Sequence, residues 1–207
     1  ARPCCVAAAW VGEASAAPGT AGFPAVAAVS AAVALREDGE VTVTRVFKHL
    51  LVPGWWGRRH FPSGSLARIE AAIADSEARH GGELRFVVET ALPLAYLRRG
   101  EAGIRERALD LFSHLRVWDT EGNTGILVYV LLADRRVEIV ADRGIHARVG
   151  EAAWTALCRQ MGEAFRAGNF EAGTLVALAD ITVLLEAHVP PPPGNPNELP
   201  DRPLVLG

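Results

Sequence analysis

An unbroken run of seven apolar residues at positions 126–132 marks the centre of the hydrophobic pattern. Because the run is rich in β-branched residues and lies between turn-forming residues, it predicts a strand buried on both faces. Residues 83–92 are also β-rich and mostly apolar, and Pro93 ends them, so they predict another central strand. A further strand is predicted for residues 137–140, directly after a turn at Asp134.

Four other segments place apolar residues at the spacing of one helix face. The first follows a helix-start signal at residues 62–65 and stops at Gly81-Gly82, a pair typical of a helix C-terminus. The remaining helices are predicted for residues 102–115, 151–166 and 170–188. The predicted order is therefore helix, strand, helix, strand, strand, helix, helix.

This order predicts an α/β fold, a three-layer α/β/α sandwich whose small mixed sheet is flanked by helices. The strand–helix–strand unit predicts a parallel pair with a right-handed crossover, and the short turn at Asp134 predicts an antiparallel return. Ligands in such sheets collect at the carboxyl ends of parallel strands, here Glu89-Thr90 and Ala133-Asp134. The loop that begins at Asp119 enters its strand from the other end. We therefore expect Glu89 and this loop at opposite edges of the sheet.

The two ends of the chain differ from its middle. Residues 1–44 are rich in Ala, Gly and Pro and show no period, which predicts a disordered N-terminal extension. Residues 45–189 hold all the predicted elements and form the predicted domain. Residues 190–207 are proline-rich and lack evident core residues, so they predict a disordered tail.

Composition excludes several classes of function. Half of the residues are hydrophobic and the formal charge at pH 7 is −3, so no nucleic-acid partner is expected. No apolar run has the length of a transmembrane segment, and no organic cofactor is expected. The sequence predicts a cytoplasmic protein peripheral to the membrane, and it leaves the oligomeric state open.

Residues 46–61 mix aromatic side chains with one lysine and two arginines. A basic, aromatic segment is typical of a surface that docks on a membrane or a partner, and Trp55 and Trp56 are the candidate partner-binding residues. The alternative interpretation is that the aromatic residues cover the core of the domain. Pro53-Gly54 favours this alternative, because it interrupts any long amphipathic helix.

The loop before the central strand is crowded with oxygen-bearing side chains. Asp119, Glu121 and Asn123 alternate as in the first half of a calcium-binding loop. The loop does not match an EF-hand, because its twelfth position is Val130 instead of glutamate. We therefore predict Ca²⁺ or Mg²⁺ held by these three side chains together with Asp142 from another loop. The alternative is that Asp119 caps a turn and the following residues supply turn geometry.

A second group of reactive side chains lies just past the third predicted strand, at Asp142, Arg143 and His146. An arginine can hold a phosphate as a two-pronged donor, and a histidine can act as general acid or base. Asp119, Arg143 and His146 are therefore the candidate catalytic residues. The alternative is a surface turn with an Asp–Arg pair.

Features from Trp118 onward follow the order of one known family. The tryptophan precedes a polar loop, Asn123-Thr124-Gly125 leads into the apolar strand, and an Asp-Arg turn joins this strand to the next. Residues 165–173 close the pattern with two phenylalanines, an arginine and two glycines. In this order of features the chain resembles the TPM domain family, also called the TPM phosphatase family, over about residues 62–188.

The resemblance implies phosphatase activity and bound calcium, as in at least some members of the family. The chain departs from the family pattern at two places: Asp119-Thr120-Glu121 replaces a glycine-rich loop, and Asp142-Arg143-Gly144 replaces Gly-Tyr-Gly. No Cys-x5-Arg, Asp-x-Asp-x-Thr, Gly-x-Ser-x-Gly or P-loop lysine motif occurs. Hydrolysis would therefore use a metal-bound or carboxylate-activated water.

Two functions of different classes follow from these features. The first is a metal-assisted phosphatase that acts on phosphate monoesters through the Asp119 loop. The second is a non-catalytic interaction module that docks on a membrane-associated partner through Trp55-Trp56, with any bound calcium structural. The two hypotheses differ in whether Asp119, Glu121 and either Asp142 or Arg143 converge in space.

Overall fold

The computed structural model describes residues 43–194 and 196–207. Of the predicted N-terminal extension, residues 1–44, the first 42 lie outside this description and the last two begin a helix. The helices of the described part are α1 (Val43–Leu51), α2 (Trp55–His60), α3 (Ser63–Glu77), α4 (Leu94–Leu97), α5 (Ala102–His114), α6 (Arg143–Val149), α7 (Glu151–Arg166) and α8 (Phe170–His188). The strands are β1 (Glu83–Glu89), β2 (Gly125–Leu131), β3 (Arg136–Ala141) and β4 (Leu204–Leu206). No helix in residues 43–194 or 196–207 has the length and apolar character needed to cross a membrane.

The four strands form one mixed sheet in the order β3-β2-β1-β4. β1 and β2 are parallel, with Glu83 opposite Gly125 and Glu89 opposite Leu131. β3 returns antiparallel to β2, so that Ala141 lies opposite Ile126. The predicted α/β fold class is confirmed, and with it the parallel pair and the antiparallel return.

Helices cover both faces of the sheet, which explains why β2 is apolar at every position. Alternate β2 side chains point to opposite faces. Ile126 and its neighbours on one face pack with residues from α3, α7 and α8, including the fully buried Trp154 and Phe165. Leu127 and Tyr129 on the other face pack with α5. This arrangement gives three layers, with the sheet in the middle.

The backbone of Val117 passes very close to Gly125, the first residue of β2. A Cβ atom at this position would lie 1.8 Å from the carbonyl oxygen of Val117, a contact that real Cβ atoms do not make. The loop 117–125 therefore folds back tightly against the strand it feeds. This close return fixes the position of the loop relative to the edge of the sheet.

The C-terminal tail corrects the domain prediction, because part of residues 190–207 belongs to the sheet. β4 pairs in parallel with β1, with Leu204 opposite Val87 and Leu206 opposite Glu89. Leu199 is buried among the residues on the α5 face. A three-residue strand carries too little pattern to be recognised in a proline-rich context, and it becomes stable only beside the open edge of β1.

Candidate functional site

The start of β2 and the end of β3 lie at the same edge of the sheet, because the two strands are antiparallel. The backbone N–H of Asp142 donates to the carbonyl oxygen of Gly125 at 2.9 Å. The Asp119 loop and residues 142–146 are therefore neighbours, although about twenty residues separate them in sequence. Glu89 lies at the opposite end of β1, as the strand directions predicted.

Asp142 begins a helix that the sequence did not predict. Its Oδ1 accepts a hydrogen bond from the N–H of Arg143 at 2.6 Å, at the N-terminus of the short helix α6. Its Oδ2 is buried and accepts no hydrogen bond from the described residues. Burial raises the pKa of the Asp142 carboxyl, and the hydrogen bond and charge of Arg143 partly oppose this rise.

Arg143 links the two segments directly. Its Nε donates to Oδ1 of Asn123 at 3.2 Å. The next residue, Gly144, approaches the loop so closely that a Cβ atom would lie 2.6 Å from the carbonyl oxygens of both Gly122 and Asn123. Three of the predicted site residues, Asn123, Asp142 and Arg143, therefore come together.

The other predicted site residues have different surroundings. The side chains of Asp119 and Glu121 are exposed. No hydrogen bond or ion pair within the described residues joins Asp119 to Arg143 or His146. His146 is half-buried, and its Nδ1 is enclosed without a hydrogen-bond partner among the described residues. Glu121 instead lines a cavity of about 250 Å³ together with Arg148.

The predicted metal ligands, as arranged, do not fit a divalent cation. Oδ1 of Asn123 already accepts from the positively charged Arg143, and one oxygen of Asp142 caps α6. Within residues 43–194 and 196–207, no three His, Cys, Asp or Glu side chains form a group that could hold a metal ion. Binding of Ca²⁺ or Mg²⁺ stays a prediction.

The carboxyl edge of the parallel strands carries a buried network that sequence reasoning missed. Glu89 is 4 % exposed and accepts a hydrogen bond from the Tyr129 hydroxyl at 2.6 Å. The guanidinium of Arg107 donates to both oxygens of the same carboxylate, at 2.7 and 3.0 Å. Two features of the sequence could have indicated this network: a charged residue at the end of one apolar strand, and a tyrosine inside the next strand. The carboxylate has all its partners inside the protein, which favours a structural role.

Asp134, at the same edge, fixes α1 to the sheet. Arg45 donates to its Oδ2 at 2.7 Å, and Nε2 of His49 lies 3.1 Å from the same atom. Nδ1 of His49 accepts the N–H of Leu92 at 2.9 Å. Burial by itself would raise the pKa of Asp134, but the hydrogen bonds from His49 and Arg45 outweigh it and lower the pKa.

The opposite side of α1 faces solvent with its apolar residues. Phe47, Leu50, Leu51 and Trp55 are 57, 65, 75 and 60 % exposed, and we call these four residues the α1–α2 apolar face. They are half of the eight exposed large hydrophobic residues in the described part of the chain. Trp56 instead packs inward, with its ring 4.8 Å from that of His60. The structure thus separates the two predicted partner-binding tryptophans.

Comparison with known proteins decides the family. A sequence model of the TPM domain matches residues 61–183, which is more than half of the chain. The chain belongs to the TPM domain family. No curated protein matches it.

One solved structure has a similar fold. The TPM domain is similar to the NMR structure of BA42 protein from the psychrophilic bacterium Bizionia argentinensis, with a TM-score of 0.61 and 25 % sequence identity. That match covers 69 % of this chain and 93 % of BA42. A second structure, the N-terminal domain of a protein from P. gingivalis, matches with a TM-score of 0.38 and 18 % identity over 58 % of this chain and 89 % of that one.

The C-terminal tail of this TPM domain covers buried acids at the amino edge of the sheet. Glu77 accepts the N–H of Leu84 at 2.6 Å and shares a hydrogen bond with Asp201. Glu83 accepts the N–H groups of Glu198 and Leu199 at 3.1 and 3.0 Å. Burial, together with the charges of Glu83 and Asp201, raises the pKa of Glu77 to about 9. At neutral pH Glu77 is therefore protonated and donates to Asp201.

We expect Glu77→Gln to reduce the loss of stability that the protein shows as pH rises. The unfolded chain ionises Glu77 near pH 4.5, whereas the folded protein keeps the proton up to about pH 9. The unfolded state therefore binds fewer protons in this window, and the free energy of unfolding falls as pH rises through it. Glutamine is neutral and can keep both hydrogen bonds, so the variant should be more stable than the parent at pH 9.

Urea unfolding midpoints at pH 5, 7 and 9 would check this expectation. Some pH dependence should remain, because burial also raises the pKa of Glu83 and raises that of Glu138 to about 7. The matched control is Glu163→Gln, at an exposed position on α7. Equal pH dependence in the parent and in Glu77→Gln would show that Glu77 is ionised in the folded protein.

Proposed function

We propose that this TPM-domain protein is a non-catalytic interaction module that docks on a membrane-associated partner through the α1–α2 apolar face. The observation that carries the proposal is the exposure of Phe47, Leu50, Leu51 and Trp55 within nine consecutive residues. An exposed apolar cluster is costly in water and marks an interaction site more often than isolated exposed residues do.

The attachment of α1 to the domain supports the proposal. Phe47, Leu50 and Leu51 follow the spacing of one helix face, while Arg45 and His49 hold the other face on Asp134. The apolar residues are thus displayed from a helix that is tied to the sheet. A helix held in this way loses little conformational entropy when a partner covers it.

The arrangement of the predicted catalytic residues gives less support to an enzyme. No hydrogen bond or ion pair among the described residues joins Asp119 to Arg143 or His146, and Arg143 donates to Asn123. A phosphatase acting on phosphate monoesters is the second candidate. It is favoured by the buried Oδ2 of Asp142, which lies next to Arg143 and accepts no hydrogen bond from the described residues. Its test is aryl phosphate hydrolysis with and without Ca²⁺ or Mg²⁺, in which turnover lost in Asp142→Asn would support it.

Sedimentation with native membranes tests the docking proposal. We expect the parent protein to sediment with membranes of its own cells. Leu50→Ser/Leu51→Ser should lose about five- to thirtyfold in apparent affinity, because covering these two leucines, which are 65 and 75 % exposed, contributes about 1–2 kcal/mol. The control is Val176→Ser/Val183→Ser, which removes two apolar side chains of 50 and 66 % exposure from α8.

Two results would contradict the proposal. One is equal membrane binding by the parent and the leucine variant. The other is equal loss of binding in the valine control, which would show that exposed apolar area in general, and not the α1–α2 apolar face, drives sedimentation.

A further inference from the structure

The segment that carries the α1–α2 apolar face contains basic residues but no acidic ones. None of the chain's 24 acidic residues lies within residues 43–69, which hold five basic residues. The chain as a whole is acidic, with a formal charge of −3. The positive charge is therefore concentrated where the exposed apolar side chains are.

Part of this positive charge is not neutralised by other elements. Arg45 and Lys48 share Asp134, and Arg68 pairs with Glu171. Arg58 and Arg59, on α2 beside Trp55, are exposed and form no ion pair within the described residues. Two guanidinium groups without an ion-pair partner in the described part of the chain thus lie three and four residues after the exposed tryptophan.

Arg135 is a third positively charged side chain near α2, as its effect on His60 shows. Burial lowers the pKa of His60, and the charges of Arg135 and Arg59 lower it further. Arg135, in the β2–β3 turn, donates to the carbonyl oxygen of Arg166, and it forms no ion pair with an acidic side chain among residues 43–194 and 196–207. The positive field around α2 is therefore built from two distant parts of the chain.

From these observations we propose that the α1–α2 apolar face binds anionic phospholipid directly. Leu50, Leu51 and Trp55 enter the headgroup region, and Arg58 and Arg59 contact the lipid phosphates. The inference rests on the proposed docking function: the face binds lipid first, and this brings the module to its membrane-associated partner. Tryptophan is favoured at the membrane interface, and basic residues close to an anionic leaflet each add favourable electrostatic energy.

Charge complementarity between the exposed arginines and lipid phosphates favours lipid as the binding partner of this face. An apolar protein groove would accept the face without any need for free arginines, whereas an anionic bilayer offers both a phosphate layer and an apolar layer at the right depths. The arginines follow Trp55 by three and four residues, so that tryptophan and guanidinium groups meet the same interface.

Vesicle sedimentation of the full chain tests the inference without any protein partner. The vesicles are phosphatidylcholine alone or phosphatidylcholine with phosphatidylglycerol. We expect binding to the anionic vesicles only, and a loss of at least about tenfold in partition coefficient for Arg58→Gln/Arg59→Gln and for Leu50→Ser/Leu51→Ser. Binding should also weaken with added NaCl, because salt screens exposed charges.

The matched controls separate specific from general effects. Arg98→Gln/Arg159→Gln removes two exposed arginines elsewhere, and Val176→Ser/Val183→Ser removes two exposed apolar residues from α8. Both controls should bind like the parent. Equal losses in the arginine control would overturn the assignment, because net charge alone would then explain binding.

Failure of this inference and failure of the docking function give different results. The lipid inference would be overturned if the protein did not bind anionic vesicles. The docking function would still stand in that case if binding to native membranes depended on Leu50 and Leu51 and was lost after protease treatment of the membranes. Native-membrane binding unaffected by the leucine variant would overturn both.

Discussion

Replacing Arg107 with alanine is expected to destabilise the protein by about 3 kcal/mol, because it leaves a buried carboxylate without its cation. Glu89 is 4 % exposed, and the guanidinium of Arg107 contacts both of its oxygens. The Tyr129 hydroxyl would remain as a single donor. Urea unfolding at pH 7 of the variant and the parent measures the change in the free energy of unfolding.

Two further variants make this expectation specific. Arg99→Ala removes an exposed arginine that pairs with Glu106, and exposed pairs contribute about 0–1 kcal/mol. Glu89→Gln combined with Arg107→Met removes both charges, and it should recover part of the lost stability because no buried charge is left unpaired. A loss below about 1 kcal/mol in Arg107→Ala would show that solvent reaches Glu89 and that the network contributes little.

Removing residues 196–207 is the second change with a large expected effect, about 4 kcal/mol or more. The truncation deletes β4, exposes the edge of β1 and uncovers the apolar surface that Leu199 fills. It also takes away the two N–H groups that satisfy the buried carboxylate of Glu83. The thermal unfolding midpoint should fall, and an exposed strand edge should promote association that size-exclusion chromatography detects.

A graded variant keeps this expectation testable if the truncated chain does not fold. Leu199→Ala removes most of one buried side chain and should cost about 2–3 kcal/mol. Replacing the exposed Pro191 and Pro193 with alanine is the matched control, and its effect should stay within about 0.5 kcal/mol. An unchanged unfolding midpoint in the truncated protein would mean that the tail is not part of the stable fold.

The buried network and the attachment of the proposed docking face lie at the same edge of the sheet. The carboxyl edge of the parallel strands, where ligands collect in many α/β proteins, is closed here by Arg107 on Glu89 and by Arg45 on Asp134. The second of these contacts, between Arg45 and Asp134, also attaches α1 to the domain. Charges in this region therefore stabilise the fold and position an apolar surface.

Much of the fold could be predicted from local pattern. α7 and α8 begin and end at the predicted residues, and β2 lies within one residue of its prediction. Each of these elements carries its signal in residues two, three or four positions apart, and such neighbours report burial directly. The fold class followed from the order of these elements, since connection length restricts how neighbouring strands can pair.

The candidate site could be predicted only in part. Asn123, Asp142 and Arg143 do meet, but Arg143 donates to the amide oxygen that is predicted to bind a metal. Among the described residues, no hydrogen bond or ion pair joins Asp119 to these three side chains. The residues near 142 were predicted as a loop, although they begin α6. Seven helical residues with one fully buried side chain show no clear period, so the pattern could not identify the helix.

The sequence by itself determined the layers of the protein. The spacing of apolar residues in each long element indicates which of its faces must be buried against another layer. Tertiary structure decided which distant residues meet: Arg107 with Glu89, Leu204 with Val87, and Arg143 with Asn123. It also decided that Trp55 is exposed while Trp56 packs against His60. These outcomes depend on the separation and direction of whole elements. A one-dimensional pattern does not record that information, since contacts between remote segments form only after loop closure brings the elements together.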